Sequence, residues 1–251
     1  MARGARIAIM TLTVAAACGT ARASSFEVSP SQVSLSTNVP STMVAISNPS
    51  GEAKRFHMAA FGWRQKANGG AELTPTGDVF FFPAIVELGP GETKLVRVGT
   101  QTGFGPTEKA YSLFVENIDE DTAANVKPMV SATTVGIPIF VRPTRPAAEA
   151  RVDQLSVERG HVRLKVKNVG TAHFRLRNVQ LSGDGNERST HWVQTVPAWY
   201  MLPGDERSWD YELPPGVCDG LSRLSVEFEG DEVGGRTTVA VPGGACPEAT
   251  E

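Results

Sequence analysis

The residues of this chain best suited to bind a metal or move a proton are not spaced to build a recognised active site. The four histidines, His57, His161, His173 and His191, form no His-x-His or His-x-x-x-His pair, the spacings that bring two imidazoles onto one face of a strand or helix. No His-Glu-x-x-His run, Gly-x-Ser-x-Gly elbow or phosphate-binding loop occurs. Gly183-Asp-Gly185 begins like a dinucleotide fingerprint but lacks its third glycine, and it reads as a hairpin turn between strands. The acidic run Asp119-Glu-Asp121 has the charge to hold a cation, although such a run is more commonly a solvated loop. Carboxylates are plentiful, so their number neither supports nor excludes a paired-carboxylate hydrolase. No catalytic residue is assigned, and no cofactor or metal is implied.

Cysteine placement says more about the compartment than about chemistry. Arg3 and Arg6 precede an uncharged stretch from Ile7 to Ala21, and Ala21-Arg-Ala23 sets small residues at the two positions a signal peptidase reads. This predicts a secretory signal over residues 1–23, cleaved before Ser24. The stretch is short for a membrane span, and no second apolar run of spanning length follows. Ala15-Ala-Ala-Cys18 approaches a lipoprotein cleavage site but lacks the bulky aliphatic residue three positions before the cysteine. Cys218 and Cys246 remain after cleavage, without Cys-x-x-Cys spacing, which argues against a redox role. An exported pair is expected to form a disulfide across the last strands; the alternative is two free buried thiols. Removal of the signal leaves 21 basic against 27 acidic residues, a net charge of −6, which disfavours a generic nucleic-acid surface.

The elements that carry these residues are strands. From Phe26 onward, short runs of period near two are separated by turn residues such as Asn48-Pro49, Asn68-Gly-Gly70, Pro75-Thr-Gly77 and Gly89-Pro-Gly91. Strands are predicted over 31–36, 42–48, 54–65, 79–82, 94–100, 111–117 and 130–141. After the proline-stiffened segment 144–150, a second set spans 152–158, 161–168, 175–182, 192–196, 199–201, 206–212, 221–229 and 237–241. No helical period of useful length is present. A chain of 251 residues holds two domains of roughly 100 residues each. The expected fold is all-β: two immunoglobulin-like sandwiches over 24–143 and 151–251. Trp63, Phe80, Phe81, Phe82 and Phe140 read as core or inter-domain packing. Trp192, Trp199 and Trp209 are also read as core, with a ligand-lining role as the alternative. An asparagine closes the second predicted strand of each half, Asn48 and Asn168.

Several runs, taken in order, resemble the periplasmic chaperones of the chaperone–usher pilus assembly pathway over nearly all of the chain after residue 23. Val44-Ala-Ile-Ser-Asn48 is similar to that family's second-strand Val-x-Val-x-Asn, and Trp63-Arg-Gln65 to its third-strand tryptophan. Thr74 to Pro83 resembles the run before its Pro-x-hydrophobic segment, and Leu88-Gly-Pro-Gly-Glu-Thr-Lys-Leu-Val-Arg97 its Leu-x-Pro-Gly signature. Val33 to Leu35 after Ser31, Tyr111 to Asn117 and Ile137-Pro-Ile-Phe-Val-Arg-Pro143 resemble the opening, sixth and closing strands. The resemblance implies two immunoglobulin-like domains in a boomerang, with pilus or coat subunits bound between them and an outer-membrane usher as a second partner. It implies that the chaperone lends its seventh strand to a subunit lacking one, a form of β-strand addition. It also implies a periplasmic location and no enzymatic activity, nucleic-acid partner or membrane insertion.

On this resemblance the donor side chains are Met129, Ser131, Thr133, Val135 and Ile137, with completion of the first sandwich as the alternative role. The family's well-studied branch anchors the subunit's terminal carboxylate with an arginine and a lysine, at positions that here hold Gln32 and Pro138. The Ile-Pro-Ile-Phe-Val form is more like the archaic, spore-coat-associated branch. Arg97 or Arg142 is then expected to supply the cation, Arg97 being equally readable as a solvated strand arginine. The competing reading is a two-domain β-sandwich binding module of the periplasm or cell surface that keeps the scaffold without subunit capture.

Overall fold

The computed structural model describes residues 26–66, 69–118, 134–185, 191–197 and 199–246. Among these residues ten strands build the first half: β1 (Glu27–Ser29), β2 (Val33–Leu35), β3 (Ser41–Ser47), β4 (Lys54–Gln65), β5 (Ala71–Pro75), β6 (Val79–Phe82), β7 (Ile85–Leu88), β8 (Thr93–Thr100), β9 (Lys109–Asn117) and β10 (Thr134–Val141). One sheet has the order β1-β3-β8-β6. The other runs β2-β10-β9-β4-β5, with β7 also on β4. All pairings are antiparallel except β2 on β10. Alternation decides which side chains meet. On β4, Phe56 and Met58 point between the sheets, and His57 points outward. Phe56, Leu35, Ile46, Val98, Leu113 and Ile139 are fully buried at the centre of this core.

The second half contains β11 (Ala150–Glu158), β12 (His161–Asn168), β13 (Phe174–Gly185), β14 (His191–Thr195), β15 (Tyr200–Met201), β16 (Glu206–Glu212), α1 (Pro215–Cys218), β17 (Leu221–Gly230) and β18 (Gly234–Ala240). A three-stranded sheet, β11-β12-β16, faces a sheet ordered β14-β13-β17-β18, with β15 on β13. Val162, Leu164, Phe174, Val179, Leu181, Leu224 and Val226 form a second, separate core. The all-β expectation of two immunoglobulin-like sandwiches therefore holds.

The asparagines at the two strand ends perform one structural task twice. Asn48, fully buried, donates its amide to the carbonyls of Glu52, Leu88 and Gly89 at 2.7, 3.1 and 3.2 Å. Asn168, also fully buried, donates to Ala172 and Met201, both at 2.9 Å. The backbone of each asparagine is gripped by a Pro-Gly-acid turn. Asn48 N–H donates to Glu92 and its carbonyl accepts from Gly91; Asn168 N–H donates to Asp205 and its carbonyl accepts from Gly204. Both turn glycines have positive φ, 72° and 82°, where an L-residue is strained.

Linker residues 142–149 do not hang free. The carbonyl of Ala147 accepts from Thr171 and Ala172, and Val169 N–H donates to Glu149. A Cβ on Gly170 would fall 2.3 Å from the Ala147 carbonyl oxygen, so this close approach requires glycine. Near the chain's end Cys218 and Cys246 are disulfide-bonded, 28 residues apart. Opening a loop of this length is expected to cost about 3–4 kcal/mol. Urea unfolding with and without reductant measures it, and equal midpoints would contradict the expectation.

Three sequence expectations change. Gly183-Asp-Gly185 is strand, not turn: Gly183 pairs Trp192 and Asp184 pairs His191 within β13–β14. The missing Cβ of Gly183 makes room for Leu221, whose Cδ2 would lie 2.7 Å from it. Phe82 is not core, being 76% exposed at the end of β6. Three short strands, β1, β5 and β7, and the helical turn α1 were not expected. Residues 119–121 and 130–133, including the acidic run and the start of the predicted closing strand, lie outside the described residues.

Candidate functional site

The last strand of the first sandwich is paired along its whole described length on one side only. From Thr134 to Val141 it runs antiparallel to β9. On its other side β2 covers only Ile139 to Val141. The edge from Thr134 to Pro138 therefore has no strand beside it among the described residues, leaving main-chain donors and acceptors open for an added strand. Pro138 lacks an N–H, so this edge cannot donate there.

Side-chain direction along β10 splits in two. Ile137 and Ile139 point into the first core and are 1% and 0% exposed; Val135, on the same parity, is half-buried at its margin. Gly136 and Pro138 point the other way, into a cleft shared with the second domain. Of the donor residues expected from sequence, Ile137 is thus part of the protein's own core and Val135 sits where that core ends. Met129, Ser131 and Thr133 lie outside the described residues.

Phe140, the outward residue one turn of the pleat further on, joins the domains. Fully buried, its ring stacks on His173 with centroids 3.5 Å apart and planes at 12°. Tyr200 and Trp63 close around it, with their ring centroids 5.7 and 6.1 Å from that of Phe140. The Tyr200 hydroxyl donates to the Gln32 side-chain carbonyl at 3.0 Å, and the Gln65 amide donates to the Tyr200 carbonyl at 2.7 Å. Beneath the stack, Glu108 Oε1 accepts from the His173 backbone N–H at 3.0 Å and meets its Nδ1 at 2.6 Å. Glu108 Oε2 lies 3.8 Å from Arg142 Nε, and neither atom has a hydrogen-bond partner among the described residues.

Two cavities flank this joint. One, of about 410 Å³, is lined by Trp63, Leu73, Phe114, Pro138, Trp199 and Tyr200 among others, and Arg175 is its charged residue. The Arg175 guanidinium carbon lies 5.9 Å from the Trp199 ring centroid and 5.8 Å from that of Tyr200, within range for attraction to both π-systems. The other cavity, about 630 Å³, is polar and lies among Arg64, Asp78, Glu108, Tyr111 and the Pro203-Gly-Asp205 turn. There burial, and then the Asp78 carboxylate that accepts its hydroxyl at 2.7 Å, hold the Tyr111 phenol above its ordinary range.

Burial pushes the Asp205 carboxyl up to about 6, against the opposing pull of Arg64. Between the ordinary carboxylate value near 3.9 and about 6, the folded protein keeps a proton that the unfolded chain releases. Folding is therefore favoured by Asp205 at low pH, and this contribution is lost as pH rises through about 6. Asp205→Asn, which keeps both backbone bonds of the turn, is expected to raise Tm at pH 7.5 and leave it unchanged at pH 3.5. Thermal unfolding of both proteins at the two pH values checks this, and an equal shift at both would contradict it.

The two arginines expected as anchors lie elsewhere. Arg97 is on β8 in the other sheet, exposed between Met43 and Phe82, and donates to the Ser41 hydroxyl. Its alternating position on β8 faces it away from the cleft. Arg142 is at the joint beside Glu108. Of the tryptophans, Trp192 and Trp209 pack on the second core, but Trp199 is 49% exposed and lines the cleft. Sequence reasoning missed Glu108, His173, Arg175 and Tyr200. One signal was available: Leu202-Pro-Gly-Asp205 echoes Leu88-Gly-Pro-Gly-Glu92 and locates the turn beside which these residues gather.

Residues 25–147 match the family described as pili and flagellar-assembly chaperone, PapD N-terminal domain. No curated protein matches the sequence. The chain is similar in structure to the CupB2 chaperone of Pseudomonas aeruginosa, at 16% identity and TM-score 0.55, covering 86% of this chain and 99% of that one. It is similar to the E. coli chaperone DraB at 17% identity and TM-score 0.54, covering 87% and 98%. It is also similar to a chain of the CsuC–CsuE chaperone–tip adhesion subunit complex of archaic Csu pili from Acinetobacter baumannii, at 13% identity and TM-score 0.56, covering 85% and 97%. At such identities the likeness is one of fold.

Proposed function

This chain belongs to the pilus-assembly chaperones, and on that premise we propose that it holds exported pilus or coat subunits in the periplasm and hands them to an outer-membrane usher. The observation that carries the reading is the half-covered closing strand: among the described residues β10 is paired on one side throughout and on the other only from Ile139 onward. A subunit lacking a strand has the complementary defect, an open groove bordered by unpaired backbone. Joining the two satisfies both edges, and Val135, at the margin of the first core, is the described residue placed to meet the subunit. No nucleotide is needed, because the free energy comes from pairing and apolar burial. Ile137-Pro-Ile-Phe-Val141, together with Gln32 and Pro138 in place of two cations, supports placement in the archaic branch.

The test is periplasmic co-purification of the tagged protein from its native host, with intact mass of what elutes. The expected result is a stoichiometric small secreted subunit that is absent when Val135 is replaced by Asp. A folded, abundant protein that brings down no subunit would instead favour the binding-module reading, which the uncharged Gln32 and Pro138 positions support.

A further inference from the structure

The far end of β4 leaves its sheet. β9 pairs β4 from Phe56 to Gly62, and β5 pairs it from Phe61 to Gln65. Beyond Gly62, residues 63–65 and 71–73 therefore form a two-stranded ribbon, with no third strand beside it among the described residues. The ribbon lies between the domains. Trp63, Gln65, Ala71 and Leu73 line the apolar cleft on one side, and Gly62, Arg64 and Thr74 line the polar cavity on the other. Along its length the ribbon meets the second domain in three places. Trp63 stands edge-on to Tyr200 with ring centroids 5.6 Å apart. The Gln65 amide donates to the Tyr200 carbonyl at 2.7 Å. At the tip, Gly69 lies against the Arg207 guanidinium, whose Nη2 would be 2.5 Å from a Cβ placed there.

The polar cavity that Arg64 lines is shared with Asp205, in the turn before β16. Asp205 Oδ2 is shut off from solvent and has no hydrogen-bond partner among the described residues, a setting that accepts a neutral carboxyl and disfavours a carboxylate. We propose that the ribbon is a strap on the second domain whose grip is set by the charge of Asp205: it holds while Asp205 is neutral and slackens when Asp205 ionises. This goes beyond the chaperone reading and does not depend on it. The charged and titratable groups sharing the cavity with Asp205 are Arg64, Asp78, Glu108, Lys109 and Tyr111, and Lys167, Glu206 and Arg207 flank the turn on β12 and β16. Most are engaged elsewhere: Asp78 accepts the Tyr111 hydroxyl, Glu108 meets His173, and Lys109 donates to Thr102. Arg64 favours the charged form of Asp205, but burial outweighs it and pushes the carboxyl up to about 6. Slackening lets water reach Asp205 and returns it toward the ordinary value near 3.9. The strapped state is thus fully favoured below about 3.9 and loses that advantage as pH rises through about 6. The distance between the two values limits the change in the strapped-to-slack ratio to about a hundredfold. Trp63, Ala71 and Leu73 are one wall of the cleft, so a slack ribbon also widens it.

The test places nitroxide labels at Glu72→Cys on the ribbon and Arg236→Cys on the second domain, both exposed, while Cys218 and Cys246 stay in their disulfide. Pulsed dipolar spectroscopy reads the distance between the labels. One narrow distance is expected at pH 4.5. At pH 7.5 a longer, broader one is expected to join it, with its share relative to the first at least about tenfold greater. Asp205→Asn, neutral at both pH values, is expected to keep the narrow distance at both. Gly69→Ala, strained at a φ of 81° and displacing the Arg207 guanidinium, is expected to give the broad distribution at both. Circular dichroism melts of each labelled protein at both pH values separate slackening from unfolding. A wild-type distribution that is the same at both pH values overturns the proposal, whether narrow or broad. A pH response that survives in Asp205→Asn assigns the sensing to another group and also overturns it. A Gly69→Ala protein that stays narrow shows that the tip contact does not hold the ribbon, and the strap fails with it.

Discussion

Ile137→Asp is expected to unfold the first domain, whereas Val135→Asp is expected to leave it folded and abolish subunit capture. The two residues are neighbours on one face of β10 and differ in what surrounds them. Ile137 is 1% exposed among the core side chains, and Val135 is half-buried where that core ends. A carboxylate at 137 either is buried without a partner or drives β10 out of the sheet. Together with the lost apolar burial, this is expected to cost more than about 4 kcal/mol, against a total domain stability of about 5–15 kcal/mol. At 135 water reaches the new charge, so the cost to folding is expected to be about 1 kcal/mol, while the charge opposes entry into an apolar groove. Circular dichroism melts and co-purification of both variants separate the effects. A folded Ile137→Asp protein would show that β10 is not held in its own sandwich as described, and Val135→Asp with full subunit yield would remove Val135 from the donor surface.

Strands with one buried face were legible in the sequence. Residues 54–65, 79–82, 161–168 and 206–212 were predicted with the bounds later observed, because alternation records which side each residue faces. The strands that escaped notice lack that record. Ala71–Pro75 is exposed at every residue and held by backbone pairing to β4 alone. Ile85–Leu88 alternates, but over only four residues between Pro83 and Gly89. Gly183-Asp-Gly185 misled because glycine marks a turn in most contexts, and here it marks space required by Leu221.

The free edge of β10 was legible as a long apolar run ending in Arg-Pro. Its register against the core was not, since parity alone does not show where a sandwich ends. The cleft was illegible for a different reason. Gln32, Trp63, Glu108, Phe140, His173, Arg175 and Tyr200 meet only after two domains dock, and docking leaves no period in a sequence. The same limit led to the choice of Arg97: it follows the Leu-x-Pro-Gly signature in order, but alternation on β8 turns it outward.

Glu108→Ala is expected to separate the melting of the two domains. Each sandwich has its own core, so cooperation between them depends on the joint, and the Glu108 side chain is its fully buried centre. One oxygen meets the backbone N–H and ring nitrogen of His173, and the other faces Arg142. Removing the carboxylate leaves the His173 N–H and the Arg142 guanidinium without it, and breaking a buried charged cluster on one side costs about 3–5 kcal/mol. The loss falls on the joint more than on either core, because His173 belongs to the second domain and Arg142 follows β10 of the first. Calorimetry should show one transition in the wild type and two in the variant, the lower one shifted down. Phe140→Ala, which removes the ring that His173 stacks on, should act in the same direction, with a further cost to β10 itself. If Glu108→Ala melts in a single transition at the wild-type temperature, the domains are coupled elsewhere and the Glu108 contacts contribute little. If it splits as expected while still retaining subunit, capture resides in the first domain's edge strand.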